Sequence, residues 1–404
     1  MTVTATKARA EDVARAAYGK LIAMLASRSG DILAAEDALS DAFVAALQTW
    51  PERGVPENPE SWLLTVARNR RTDQVRKDAR LVIVDEVPEM IETRAIHTEP
   101  NLDERLELMF VCAHPAIDPS VRTPLMLQTV LGLEADQIAR AFLVSPSAMA
   151  QRLVRAKRKI KAACIPFVVP DAEHYSDRMA FLLEATYGAY AVDWLEGVGD
   201  LSHEAFFLST ILADLAPKDP EALGLSALIG FIEARRDARV KNGVLIPVQE
   251  QDTALWDGPL IDRSASVLAR AASLGRLGRF QLEAAIQSVH AARATTGRTD
   301  WRALSQLYLG LVQSYPTLGA AVSRAAVVAE DAGPGEALAL LEKIELSAVQ
   351  RYQPFHAVQA HCFARLERLT EALEAYDRAI FLCVDVPSRR WLKKRKVDLQ
   401  SRLS

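Results

Sequence analysis

The sequence predicts an all-α protein, on two observations. Leu, Ala, Arg and Glu recur throughout its 404 residues, while the Val/Ile/Thr alternation of half-buried strands is scarce. Apolar positions instead return at helical spacing, in segments bounded by capping residues, prolines and glycines. A chain this long exceeds one core, so two or three domains are expected. Half the residues are apolar and a quarter charged, an ordinary globular composition. The apolar run "ALGLSALIGFI" stops at Glu233, short of the ~20 residues a membrane helix needs. The N-terminus "MTVTATKARAED" lacks the apolar segment of a signal peptide. Cysteines scattered at 112, 164, 362 and 383 make no disulfide framework. A cytoplasmic protein without a membrane partner is expected.

The first helices fall within residues 10–50. In "AEDALSDAFVAALQTW", Ala38, Leu39, Ala42, Phe43, Ala46 and Leu47 form an apolar stripe, with Glu36, Asp37 and Asp41 on the other side. This helix is expected to end at Trp50–Pro51, because "PERGVPENP" reads as a loop. Asn58 then caps a helix with Pro59 at its first position, where a missing N–H costs nothing. Trp62, Leu63 and Val66 suit a core, and Trp62 is read as core rather than as a stacking platform. Beyond Ala67 the helix is polar and basic.

The net charge of −4 conceals an asymmetry. Arg68 to Arg80 holds six Arg/Lys against two Asp, and Arg152 to Lys161 holds six with no acid. Between them, Val82 to Leu108 carries eight acids and only two arginines. Residues 81–100 read as an acidic linker.

The second basic island is a helix with its start written out. Ser145 is the N-cap and Pro146 follows; Met149, Leu153, Ala156 and Ile160 make one buried stripe. A short helix precedes it, with Ile138, Ala139 and Phe142 inward, joined by a turn of about three residues. The pair predicts a helix-turn-helix whose second helix enters the major groove. Ser147, Ala148, Gln151, Arg152, Arg155, Arg158 and Lys159 face outward; Gln151 and Arg152 suit base edges, and the charges from Lys157 to Lys161 suit phosphates. The turn has Leu143 where glycine is common. A basic helix by itself is often only a solvated face; the cap, the small-residue helix and the short turn together favour DNA.

From about Pro170 the helices recur in pairs. In "FHAVQAHCFARLERLTEALEAYDRAIFL", Ala360 and Phe363 of one helix face Ala372, Tyr376 and Ala379 of the next, the alternation of a tetratricopeptide-type repeat. "GPGEALALLEKI" and "GRLGRFQLEAAIQSVHAAR" are partial copies, and "GRLGRF" is a helix–helix turn rather than a phosphate loop. Cys112 and His114 lack a second pair for zinc and are read as packing residues. No catalytic constellation is found, so no enzyme activity, cofactor or metal is expected.

"AEDALSDAF…PENPESWLLTVARNRRTDQVRKDAR" followed by "ADQIARAFLVSPSAMAQRLVRAKRKIK" resembles the two domains of bacterial RNA polymerase sigma factors of the extracytoplasmic-function type, over about residues 10–165. With its helical tail the chain is similar to the subgroup bearing a tetratricopeptide-like extension. The resemblance implies a region 2-like domain at 1–80, a linker at 81–100, a region 4-like helix-turn-helix domain at 101–168 and a regulatory or protein-binding extension at 169–404. It implies core RNA polymerase as partner, through the β′ clamp helices and the β flap, with promoter DNA and a regulatory or anti-sigma protein at the C-terminal region. Asp37, Asp41 and Gln48 would face polymerase. Asn58, Arg68, Asn69, Arg71, Thr72, Gln74, Arg76 and Lys77 would handle the −10 element, Asp73 orienting a neighbouring arginine or accepting from a base. The helix from Ser145 would read the −35 element. The rival reading is a stand-alone helix-turn-helix regulator whose tail senses a ligand or protein.

Overall fold

Helix α1 (17–29) turns sharply at Gly30 into α2 (Ile32–Arg53). Asp31 caps α2, accepting from the Ala34 N–H at 3.2 Å. Contrary to the expected stop at Trp50–Pro51, α2 runs through the proline to Arg53 and ends at Gly54, whose N–H bonds the Trp50 carbonyl. A proline this near a helix C-terminus removes one backbone bond without breaking the last turn. Asn58 opens α3 (59–69), accepting from Ser61 N–H at 3.0 Å. Trp62 packs edge-on against the buried Trp50, ring centroids 5.5 Å apart. The computed structural model describes residues 17–69, 103–142, 144–171, 175–196 and 200–402.

The chain divides into two units, Met1–Ala189 and Tyr190–Ser404. The first also holds α4 (Glu104–Cys112), α5 (Pro119–Thr129), α6 (Ala135–Ala141), α7 (Pro146–Ala162) and the start of α8 (Ser176–Glu196). Leu106, Leu108, Met109 and Phe110 of α4 are fully buried. Phe110 stacks on Tyr175, and Arg122 of α5 lies 4.6 Å over the Phe181 ring, so the start of α8 closes this core. Helix α1 comes so close to the end of α5 that a Cβ at Gly19 would fall 1.7 Å from the Val130 carbonyl oxygen. Only glycine fits there.

The second unit begins, among its described helices, with α9 (Asp200–Leu215) and α10 (Pro220–Glu233), the latter buried on nearly all sides. A small antiparallel hairpin, β1 (Val240–Lys241) and β2 (Val244–Leu245), turns on Asn242–Gly243, both at positive φ. The all-α expectation passed over this hairpin, although Asn-Gly between Val-Lys and Val-Leu is a standard hairpin signal. Helices α11 (Gly258–Ser273) and α12 (Arg279–Ala291) pack on α10, and short α13 (Arg293–Thr296) follows. Gly278 offers no side chain to cap α12; Glu221 of α10 does so from outside, accepting from Phe280 and Gln281 N–H at 2.9 and 3.2 Å.

Helical pairs complete the unit: α14 (Trp301–Ser314) with α15 (Leu318–Asp331), then α16 (Pro334–Leu341), short α17 (Leu346–Val349), and α18 (Gln353–Arg365) with α19 (Leu369–Leu382). Ala360, Ala372, Tyr376 and Ala379 are buried at the α18–α19 contact as their spacing predicts, while Phe363 is half-buried beneath Arg368. The last helix, α20 (Val386–Gln400), adds Leu392 and Leu399 to that cluster. No described helix is long and apolar enough to cross a membrane.

Candidate nucleic-acid interface

Helix α7 starts as its sequence dictates. Ser145 Oγ accepts from the Ala148 N–H at 3.3 Å, and Met149, Leu153, Ala156 and Ile160 are buried. The preceding α6 carries a capping box of Glu134 and Gln137. Ile138 and Ala139 are buried, but Phe142 is not: it is the C-cap of α6, 39 % exposed, where the chain turns away from the core. Leu143 lies outside the described residues. Ser147, Gln151, Arg152, Arg155, Arg158 and Lys159 are exposed, and Ala148 is half-buried. Six of the seven residues expected to face DNA therefore share an open face.

Arg152, Arg155 and Lys159 line a cleft of about 410 Å³ closed on its other side by Ile117, Asp118 and Ser120 at the start of α5. The Ser120 hydroxyl and backbone N–H both donate to Asp118, which with nearby Arg152 and Arg122 holds that carboxyl below its usual range. Sequence reasoning missed Asp118 and Ser120. Asp-Pro-Ser was legible as a helix cap, but its place beside α7 is a tertiary fact.

Two cations read as phosphate contacts do something else. Lys157 is 4 % exposed, and its Nζ lies 2.5 Å from Glu36 Oε1 of α2. Lys161 Nζ lies 2.7 Å from Asp31 Oδ2 at the cap of the same helix. Position 157 adjoins the buried Ala156 and Ile160, so it turns toward α2 rather than toward solvent. Burial raises the Asp31 carboxyl, but Lys161 and the Ala34 and Leu33 amides outweigh it and hold it low. Glu36, expected on the solvent side of α2, is half-buried. Burial, then Glu36, pushes the Tyr18 phenol up, and the phenol hydrogen-bonds to that carboxylate.

The opposite side of α2 is open. Asp37, Asp41 and Gln48 are exposed at helical spacing, and Val44 stands between them at 50 % exposure. Leu47, placed in the buried stripe by the sequence, is 45 % exposed and joins this face; the core closes on Ala38, Leu39, Ala42 and Ala46 instead. The small alanines bring α2 near enough to its neighbours that positions at the stripe edge need not turn in.

On α3, Asn58 serves as cap and Asn69 is exposed. Arg68 is half-buried, and burial together with the charge of Arg28 lowers its pKa. Leu63 and Ala67 fill the core, with Trp62 and Val66 half-buried. Arg71, Thr72, Gln74, Arg76, Lys77 and the 81–100 segment lie outside the described residues. Cys112 is buried against Thr129 at 3.4 Å, its thiol pushed up to about 12 by burial, which suits a packing role.

The second unit has a groove of about 720 Å³ lined by Trp301, Tyr308, Tyr376 and Trp391, with Glu330 and Arg395 among its charged groups. Glu330 receives both His361 Nε2 at 3.0 Å and Arg365 Nη1 at 2.9 Å. His290, also in its wall, is lowered to about 4 by burial and by Arg235 and Arg293.

Residues 8–81 match the sigma-70 region 2 family, and residues 178–272 match a family of unknown function, DUF6596. "Uncharacterized protein R00370" of Rhizobium meliloti (strain 1021) is similar over 376 residues at 35 % identity, covering 89 % of this chain and 88 % of that protein. No solved structure matches.

Proposed function

Because the chain belongs to the family of the Rhizobium meliloti protein and carries a sigma-70 region 2, we propose that it is a promoter-specificity subunit of the extracytoplasmic-function type. The region 2 match supports binding of RNA polymerase and melting of promoter DNA; it is the observation that carries the proposal. In this reading α2 docks on core enzyme. Asp37 and Asp41 meet a basic surface, while Val44 and Leu47 provide the apolar contact that carboxylates alone would lack.

The α3 helix and the basic residues after it capture the opened −10 strand, cations along the backbone and bases unstacked from the duplex. Helix α7 reads the −35 element as duplex. Gln151 and Arg152 lie toward its N-terminal half, where a recognition helix meets base edges, and Arg158 and Lys159 lie farther along for phosphates. The second unit is a helical-repeat module that holds a regulatory protein or restrains the first; its 720 Å³ groove is the candidate surface. Catalysis belongs to the polymerase.

The test is in vitro transcription from a candidate promoter with core polymerase and the full chain. Initiation only when both are present is the expected result. A stand-alone regulator would bind the duplex yet give core enzyme no initiation, and that outcome would overturn the proposal.

A further inference from the structure

Two arginines of the second unit carry their charge inward without an acid to meet it. Arg235, just past the end of α10, is 7 % exposed; its Nε donates to the Phe231 carbonyl at 3.2 Å and its Nη2 to the Gln287 side chain. Arg293, at the start of α13, donates to the Val248 and Gln251 carbonyls at 2.9 and 2.6 Å. Both guanidiniums lie over the buried Trp256 ring, 5.8 and 5.0 Å from its centroid. Among the described residues neither has a carboxylate partner: Glu233 of α10 is paired with Arg236, and Glu283 of α12 with Arg279. The His290 imidazole responds to both charges as well as to burial. A buried cation answered only by neutral acceptors and a ring face destabilises the fold around it.

Arg235 also lines a cavity of about 260 Å³, together with Arg239, the apolar side chains of Ile232, Leu245 and Val248, and residues of α20. Gln251 is in the same lining and 8 % exposed. Its Nε2 donates to the Ile246 carbonyl at 3.1 Å, while its Oε1 is buried without a hydrogen bond. Asp385, the acid of this lining, is committed as the cap of α20, accepting from the Ser388 N–H at 2.8 Å. The cavity therefore brings together a guanidinium without an acid, an acceptor without a donor, and an apolar wall.

We propose that this cavity binds a small hydroxy-carboxylate with an apolar body. The two oxygens of a carboxylate match the fork of the Arg235 guanidinium. The hydroxyl supplies the donor that Gln251 Oε1 lacks, and the carbon chain covers Ile232, Leu245 and Val248. Inorganic phosphate has no apolar part and would leave those three side chains against a charged group. A nucleotide or peptide is too large, since 260 Å³ is smaller than the cavities that hold drug-sized ligands. The site is built from the second unit alone, so it stands or falls separately from the sigma-factor reading.

Isothermal titration calorimetry on the full chain tests it, with α-hydroxyisovalerate, isovalerate, α-hydroxyisovaleramide and inorganic phosphate as probes. α-Hydroxyisovalerate is expected to bind once per chain and to raise the melting temperature as its concentration rises. Isovalerate should bind about tenfold more weakly, and the neutral amide and phosphate should give no saturable heat. Leu245→Trp fills the cavity and keeps every charge, so it should abolish binding with the helical circular dichroism unchanged. Arg235→Gln should weaken binding about tenfold or more, and where one variant loses its fold the other decides. No saturable heat from α-hydroxyisovalerate, equal binding of isovalerate, the amide or phosphate, or undiminished binding in a folded variant overturns the proposal.

Discussion

Helices α7 and α20 carry similar positive charge and commit it differently. Residues 389–396 of α20 hold six Arg/Lys, denser than the island on α7. Yet Arg389 donates to the Cys383 carbonyl at 2.8 Å, Arg390 to Gly243 at 3.2 Å, Arg395 pairs with Glu250 and Lys396 with Asp377 at 2.6 Å. These side chains tie the last helix to its own unit. On α7, Arg152, Arg158 and Lys159 stand on an open face, Arg155 donates to the Gln151 carbonyl of its own helix at 3.3 Å, and the two lysines that turn toward α2 are tied down. A run of basic residues is open to a partner where its charges are left over after the fold has used what it needs.

The largest way to test that contrast is at Lys157. Lys157→Met leaves the half-buried Glu36 carboxylate without its cation, and a loss of about 3 kcal/mol is expected in denaturant unfolding of the first unit. Adding Glu36→Leu should restore most of it, because an apolar pair of similar size replaces both charges. A single substitution that costs nothing would show that the lysine is as idle as a surface residue.

At Arg152 the expected effect is on recognition. Arg152→Ala should lower discrimination between matched and mismatched −35 duplexes by ~1–3 kcal/mol. Lys159→Ala should weaken all duplexes alike and reduce the salt slope by about 1. Fluorescence anisotropy across a salt series checks both, and equal loss for every sequence at Arg152 would erase the distinction.

Buried positive charge in the second unit predicts a pH effect. His290 is depressed to about 4, so between about 6.5 and 4 the unfolded chain binds the proton that the folded one refuses. Stability is fully present above the unfolded value and falls as pH drops, by about 1 kcal/mol at pH 5.5. Thermal melts of His290→Gln should show that part of the acid dependence gone.

The smallest effect is expected on α20. Lys396→Ala removes one partly exposed pair and should cost at most ~1 kcal/mol, while Lys393→Ala should leave both stability and duplex binding unchanged within error. Weakened promoter binding from Lys393→Ala would place α20 at a DNA surface.

What could be read in advance follows from distance along the chain. The cap at Ser145, the stripe Met149–Leu153–Ala156–Ile160, the Asn58 cap and the α18–α19 alternation are local patterns, and each is found in place. The outward turn of Leu47 and Phe142 depends on where neighbouring helices stop covering them, which periodicity does not contain. The burial of Lys157 depends on a carboxylate 121 positions away. Of the set on α7 expected to face DNA, residue type and spacing were enough for the exposed positions; what they lacked was which of the basic residues the fold itself would claim. The Asn242–Gly243 hairpin is a local signal as well, a two-residue turn set between helical patterns on either side.

Glu221 joins two helices at a single carboxylate, since the first amides of α12 end on a side chain of α10. Fraying is therefore shared. The Phe280 and Gln281 amides should exchange with deuterium at the rate at which α10 loosens, not at the faster rate of an ordinary helix start, and a slow-exchanging pair there would mark α10 and α12 as one cooperative block.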